Sequence, residues 1–304
     1  MHERIPRRRR RFDDDEYEQP LRTRPQPEPE DDHEAGGPPS GGRWSTWADA
    51  IHGPTPRPAW VVTDLGAVDS ELGVLKTGKE ADVHLLERAV PGGRRSGAEL
   101  DPRALPGCLL AAKRYRSAEH RMFHRDAGYL EGRRVRRSRE TRAMANRTSF
   151  GRELLAGQWA TAEFAALGTL YEAGVPVPYP VQLDGTELLL EFLGSPDGVA
   201  APRLAQQRPD RAELDDWWGQ LTDALVGLAR LGWTHGDLSA YNILVDDGRL
   251  VLIDLPQVVD LVGNPHGSEM LVRDVRRIAE WFTARGLEVD AEALFHRLVA
   301  EAGL

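Results

Sequence analysis

The sequence predicts an α+β fold in which an antiparallel sheet with one long helix precedes a shorter, mainly helical part. Three patterns carry that expectation. Leu72–Leu86 and Ile243–Ile253 each read as paired apolar runs around turn residues. From about Glu153 to Ala173, and again from about Arg211 to Leu231, apolar residues return at helical spacing. Beyond Asp254 only helical patterns remain, Leu271–Phe282 and Ala291–Ala302.

Composition narrows the class. The chain has 304 residues, 40% of them apolar, which is enough for a real core. A single cysteine, Cys108, excludes an internal disulfide framework and fits a reducing compartment. No apolar run reaches membrane-spanning length, and Asp13-Asp14-Asp15-Glu16 stands where a signal peptide needs an apolar centre. The expected location is the cytoplasm, with no membrane partner. A net charge of −9 argues against a generic nucleic-acid binder.

Residues 1–43 alternate basic and acidic blocks with Pro and Gly and are expected to be a disordered tail, either solvated or docking on an acidic or polyanionic partner. Trp44, Trp47 and Ile51 suggest a short amphipathic segment able to dock on the domain. Folded structure is expected from near Trp60, with Val61–Gly66 as an edge strand or lead-in. In Leu72–Leu86 the turn Thr77-Gly78-Lys79-Glu80, followed by Ala81, would offer backbone N–H groups to a phosphate, or be a plain hairpin. Cys108–Lys113 reads as a strand. Lys113 ends that apolar run, so its amine either meets an anion or lies at a solvent edge.

Between Arg114 and Arg152 lie twelve arginines and four acids. That insert is either a contact surface for a polyanion, namely RNA, a ribosomal particle or an acidic protein, or a mobile, solvated helical segment. The helix that follows ends at Gly174 before Pro176 and Pro178. Glu163 sits four residues from both Trp159 and Leu167, so it shares their inward stripe and requires a cation, for which Lys113 is the candidate. Val181–Leu183 and Glu187–Gly194 form a hairpin and a crossover, with Glu191 to Leu193 as a hinge whose main chain reads an adenine edge. Leu214, Trp218, Leu221, Leu225 and Leu228 trace the stripe of the Arg211–Leu231 helix.

The chemistry concentrates in His235-Gly236-Asp237-Leu238-Ser239-Ala240-Tyr241-Asn242 and in Asp254 after the second strand of the 243–253 hairpin. The hairpin brings two carboxylates and an amide oxygen to one rim. Hard oxygen ligands of that kind suit Mg2+ carrying a nucleotide triphosphate, with Mn2+ as an alternative. The spacing is that of a kinase catalytic loop: Asp237 as base, with Asn242 and Asp254 as metal ligands. Asp274 either accepts backbone N–H groups from this loop or pairs with Arg276 or Arg277 at the surface.

These residues resemble the RIO family of atypical serine/threonine protein kinases from about Leu72 to Phe282. The resemblance rests on Thr77–Ala81, Ala112-Lys113, Trp159 with Glu163, Gly174-Val175-Pro176, Glu191-Phe192, His235–Ser239 with Asn242, and Ile253-Asp254 with Gln257. It implies a trimmed bilobal kinase fold, with an N-lobe over about 60–193 and a C-lobe over about 194–304, and ATP and Mg2+ between them. It also implies serine phosphorylation, often of the protein itself, or ATPase turnover with phosphate passing through Asp254. Ribosomal-subunit maturation is a role of archaeal and eukaryotic members, whereas the Ala-, Arg-, Gly- and Pro-rich composition looks bacterial. Compared with ordinary protein kinases, Gly236 replaces an arginine, and Ser239 stands where a lysine neutralises the transferred phosphoryl. A small-molecule phosphotransferase of the aminoglycoside or choline kinase type and a nucleotide-binding scaffold for an RNA or ribosomal partner are the competing functions.

Overall fold

The computed structural model describes residue 38 and residues 42–91, 107–116, 149–256 and 258–304. The charged tail, most of the arginine-rich insert and Gln257 lie outside the described residues.

Strands β1 (Arg43–Trp44), β2 (Ile51–His52), β3 (Val68–Thr77), β4 (Ala81–Ala89) and β5 (Gly107–Tyr115) precede helix α1 (Ser149–Glu172). Strands β6 (Pro180–Asp184) and β7 (Glu187–Glu191) complete a sheet, antiparallel throughout, in the order β1-β3-β4-β5-β7-β6-β2. This sheet is curled. Arg43 on β1 pairs with Glu187 on β7, although three strand steps separate β3 from β7 and a fourth separates β1 from them. A flat sheet would hold β1 and β7 about 19 Å apart, beyond the joint reach of the two side chains.

The sheet has two apolar faces, as alternation in β5 and β7 requires. On the inner face Leu188 and Leu190 pack with Ala160, Phe164, Leu167 and Leu170 of α1. The outer face carries Leu86, Leu110, Ala112, Val181 and Leu189, and Trp47, Val61, Val62 and Ala67 cover it. The fold therefore includes residues from Gly42 on, well ahead of Trp60. Trp47 docks as expected, but Trp44 and Ile51 are exposed and supply two-residue edge strands instead. Val61–Gly66 forms no strand; it crosses the outer face as an irregular lead-in. Beside this layer Arg88, fully buried, donates to Asp69 at 2.7 and 2.9 Å and to Gln182 at 2.8 Å.

Helix α1 stops where the sequence places its stop. Gly174 takes φ +75, its N–H donates to Tyr171 O, and the Val175 N–H reaches back to Leu170 O. That paired closure is the Schellman arrangement, and glycine is the residue that adopts it without strain. The chain then passes Val175 and Val177, which share one core with the C-terminal half, and Pro176 O accepts from Leu252 N at 2.9 Å.

The second half contains α2 (Arg211–Arg230), β8 (Trp233–Thr234), β9 (Ile243–Asp246), β10 (Arg249–Leu252), β11 (Val259–Asp260), α3 (Gly267–Thr283) and α4 (Ala291–Glu301). A capping box starts α2: the Asp210 carboxylate accepts from Glu213 N, and Glu213 returns the bond to Asp210 N. Its most buried tryptophan is Trp217, not Trp218, which instead packs edge-on against Phe282 of α3. The β9–β10 hairpin closes on Asp247-Gly248, both at positive φ as a two-residue type I′ turn demands. The whole is a mixed fold of sheet plus long helix followed by a helical part, the trimmed two-lobed arrangement expected. No helix among the described residues is long and apolar enough to cross a membrane.

Candidate active site

Lys113 lies near the end of β5 on the inner face, opposite Leu188 of β7. Its Nζ donates to Glu163 Oε1 at 2.7 Å and to Asp254 Oδ1 at 2.8 Å. Glu163, on the buried stripe of α1 and only 1% exposed, also accepts from Leu255 N at 3.2 Å and from the Tyr115 hydroxyl. One carboxylate thus joins β5, α1 and the turn after β10. Burial opposes the charge on Lys113, but Glu163 and Asp254 outweigh it and hold the amine above its usual range. Burial likewise opposes ionisation of Asp254, yet the Lys113 ammonium prevails and its carboxyl is held at about 2. Burial and the Glu163 charge push the Tyr115 phenol far up, so it stays a donor.

The segment from His235 to Asn242 stands on a second buried carboxylate. Asp274 of α3, 1% exposed, accepts from Gly236 N at 2.7 Å, from Leu238 N at 3.0 Å and from Thr234 Oγ1 at 3.0 Å. Of the two expectations for Asp274, bracing the loop is the observed one. His235 is fully buried; its Nε2 meets Ile253 O at 3.1 Å and its Nδ1 faces Asp237 N at 3.4 Å. Those partners require the ring proton on Nε2. Asn242 Nδ2 donates to Asp237 O at 2.9 Å, which commits the amide nitrogen and makes Oδ1 the atom with metal-ligand chemistry. Asp254 follows β10 at φ +67, and Ile253 N donates to Asn242 O at 3.0 Å. The hairpin therefore ties Asn242 and Asp254 to one rim. An ionised carboxylate and an oriented amide oxygen there fit a magnesium ion.

Comparison with known proteins decides the family. Residues 111–294, more than half of the chain, match the RIO domain. The chain belongs to the RIO kinase family. It is similar to the RIO-type serine/threonine-protein kinase Rio1 of Haloferax volcanii, 35% identical over 145 residues, which are 48% of this chain and 49% of that protein. Similarity to the serine/threonine-protein kinase RIO3 of Bos taurus is 29% over 233 residues, 76% of this chain and 41% of the relative. Chaetomium thermophilum RIO1 gives 31% over 153 residues, 47% and 29% of the two chains. The chain thus spans about half or less of the length of these relatives. The RIO domain match begins inside β5, so β1 to β4 and the turn between β3 and β4 precede it.

That turn is tight. Gly78 N donates to Ala81 O at 3.0 Å, and a Cβ on Gly78 would stand 2.8 Å from the same oxygen, so glycine is required. Thr77 and Lys79 are exposed, Gly78 and Glu80 half-buried, and Ala81 enters the core. At the expected hinge Glu191 turns back onto its own lobe: its N–H donates to Tyr179 O, and its carboxylate accepts from Tyr179 N at 3.0 Å. Leu193 O accepts from Ala201 N at 2.9 Å, closing the crossover.

Three cations at the site escape a reading by motif. Lys76 pairs with Val83, which pairs with Lys113, so both lysines belong to one cross-strand row and one face. Burial, then the Arg203 charge, push the Lys76 amine down, while Asp254 pulls it up. From α3, Arg273 Nη2 donates to Gly236 O, and Arg277 Nη1 donates to Asp237 Oδ1 at 2.7 Å. The break in strand alternation at Lys76 was the available signal for the first; nothing local marks Arg277.

Proposed function

We propose that this chain is a Mg-ATP-dependent serine/threonine protein kinase that phosphorylates itself and a protein substrate. The observation that carries the reading is the pairing of Lys113 with Glu163 and Asp254 on one side of a rim whose other side holds Asp237 and Asn242. In this reading Lys113 meets the α- and β-phosphates, the turn Thr77–Ala81 covers the phosphates, and the Glu191–Leu193 main chain borders the adenine. Asp254 and Asn242 would hold the metal ion, which would supply charge neutralisation at the phosphates. Asp237, braced from Asp274 through its neighbours' N–H groups, orients the acceptor hydroxyl and takes its proton. ATPase turnover uses the same groups with water as acceptor. The Arg114–Arg152 insert is proposed as the contact for RNA or a ribosomal particle, through phosphate neutralisation, and the cytoplasm as the setting.

The test is incubation of purified protein with Mg2+ and γ-labelled ATP, following label on the chain and free phosphate together. Acid-stable label supports the kinase; free phosphate with little label supports an ATPase. Asp237→Ala and Asp254→Ala should each abolish transfer, and Asp254→Ala should also weaken Mg-ATP binding. Full activity in both variants would refute the site.

A further inference from the structure

The segment His235–Asn242 contains no lysine or arginine. Gly236 and Ser239 occupy the places where an ordinary kinase loop carries its arginine and its phosphoryl-neutralising lysine. The charge around Asp237 comes instead from α3. Arg273 meets the carbonyl of Gly236, and one turn later Arg277 meets the carboxylate of Asp237 at 2.7 Å.

Two features separate the Arg277 contact from a structural brace. Bracing is already done by Asp274, which is buried and takes two loop N–H groups and the Thr234 hydroxyl. The Arg277 and Asp237 side chains, by contrast, are 39% and 44% exposed. An ion pair that open contributes about 0–1 kcal/mol to stability, so stability gives little reason for an arginine at the functional carboxylate. The helix that presents it is nonetheless rigid, since Val275, Ile278 and Phe282 lie in the core. Arg277 occupies one oxygen, Oδ1, and its guanidinium has further N–H donors in a fixed fork matched to phosphate oxygens.

Resting on the kinase reading above, we propose that Arg277 is the phosphoryl-neutralising cation of this enzyme, reaching from α3 in place of a lysine in the catalytic loop. In the transfer step the acceptor oxygen bonds to the γ-phosphorus as the bond from that phosphorus to the ADP oxygen breaks. The hydroxyl proton passes to Asp237, and ADP leaves with the electron pair of the broken bond. Arg277 stays on Asp237 Oδ1 with one N–H and donates another to an equatorial oxygen of the moving phosphoryl group.

The experiment compares wild type, Arg277→Ala and Arg277→Lys in total transfer from γ-labelled Mg-ATP, in Mg-ATP affinity by calorimetry, and in thermal unfolding. Arg277→Ala should slow transfer by about 10²–10³-fold, the usual loss when one transition-state donor is removed. Its ATP affinity and unfolding temperature should stay close to wild type. Arg277→Lys should recover part of the loss, and added guanidinium at millimolar concentration should partly rescue Arg277→Ala, a response that a structural role would not give. Activity of Arg277→Ala within threefold of wild type overturns the inference, as does a rise in activity, which would make the contact a clamp on Asp237. An equal fall in ATP affinity also overturns it. A wild type that binds Mg-ATP but transfers nothing overturns the kinase reading, and this inference with it.

Discussion

Asp254 has a backbone angle of φ +67, in the left-handed region where asparagine and aspartate are the most tolerated residues after glycine. Its carboxyl, held at about 2 against an ordinary 3.8, is depressed in the folded state. Such a group adds stability in full above the unfolded value and loses it as pH falls through the folded one. The substitution Asp254→Asn keeps the backbone preference and removes the charge. The wild-type advantage in urea midpoint over this variant should therefore be constant from neutral pH to about 4 and shrink toward pH 2. A gap that stays constant through that window would show that Lys113 does not hold the carboxylate. The neighbouring Glu163 was legible in the sequence, because an acid on an inward stripe demands a partner and few cations end an apolar strand. Arg277 was not legible. Its helix positions suggest only an exposed basic face, and the contact joins residues 237 and 277 through tertiary packing.

Among the elements, the two hairpins and the long helices were readable because their signals are local: turn residues, stripe and stop lie within a few positions of one another. Strand β3 was harder. Its pairing with β4 slips between Glu71 and Gly73 and again between Val74 and Lys76, so simple alternation assigns the wrong face to Gly73 and Val74, between the two slips. The outer layer was least readable, since Trp47, Val61 and Val62 are scattered among prolines and polar residues and find their partners on strands β4 to β7. The Arg88–Asp69 pair belongs to that layer. Arg88→Met leaves the buried Asp69 carboxylate to Arg43, 3.8 Å away and part-exposed, and should cost about 3–5 kcal/mol, whereas adding Asp69→Leu should return most of the loss. Chemical denaturation of the two variants checks this, and equal stability of the single variant and wild type would contradict it.

At the scale of the molecule, one core runs from α1 through Val175 and Val177 into α2, α3 and α4, and a second lies under the outer layer. The first was foreseeable from the order of elements; the second was not, because its cover comes from a stretch with no strand or helix period. A chain beginning at Val68 would lose that cover. Full burial of each large apolar side chain contributes about 1.5–3 kcal/mol, so the loss approaches the net stability of a typical domain. That variant should bind hydrophobic dyes and lose cooperative melting. A sharp transition at the wild-type temperature would show the cover to be dispensable.

The segment from Arg43 to His52 also fastens both margins of the curled sheet, with Ile51 and His52 facing Leu183 and Gln182. During synthesis its docking partner leaves the ribosome on the order of ten seconds after it does. Trp47 must wait that long in water, and the sheet's seam can be sewn only after α1 has emerged. Until β6 appears, the outer face of a nascent chain of this protein therefore stays open to water.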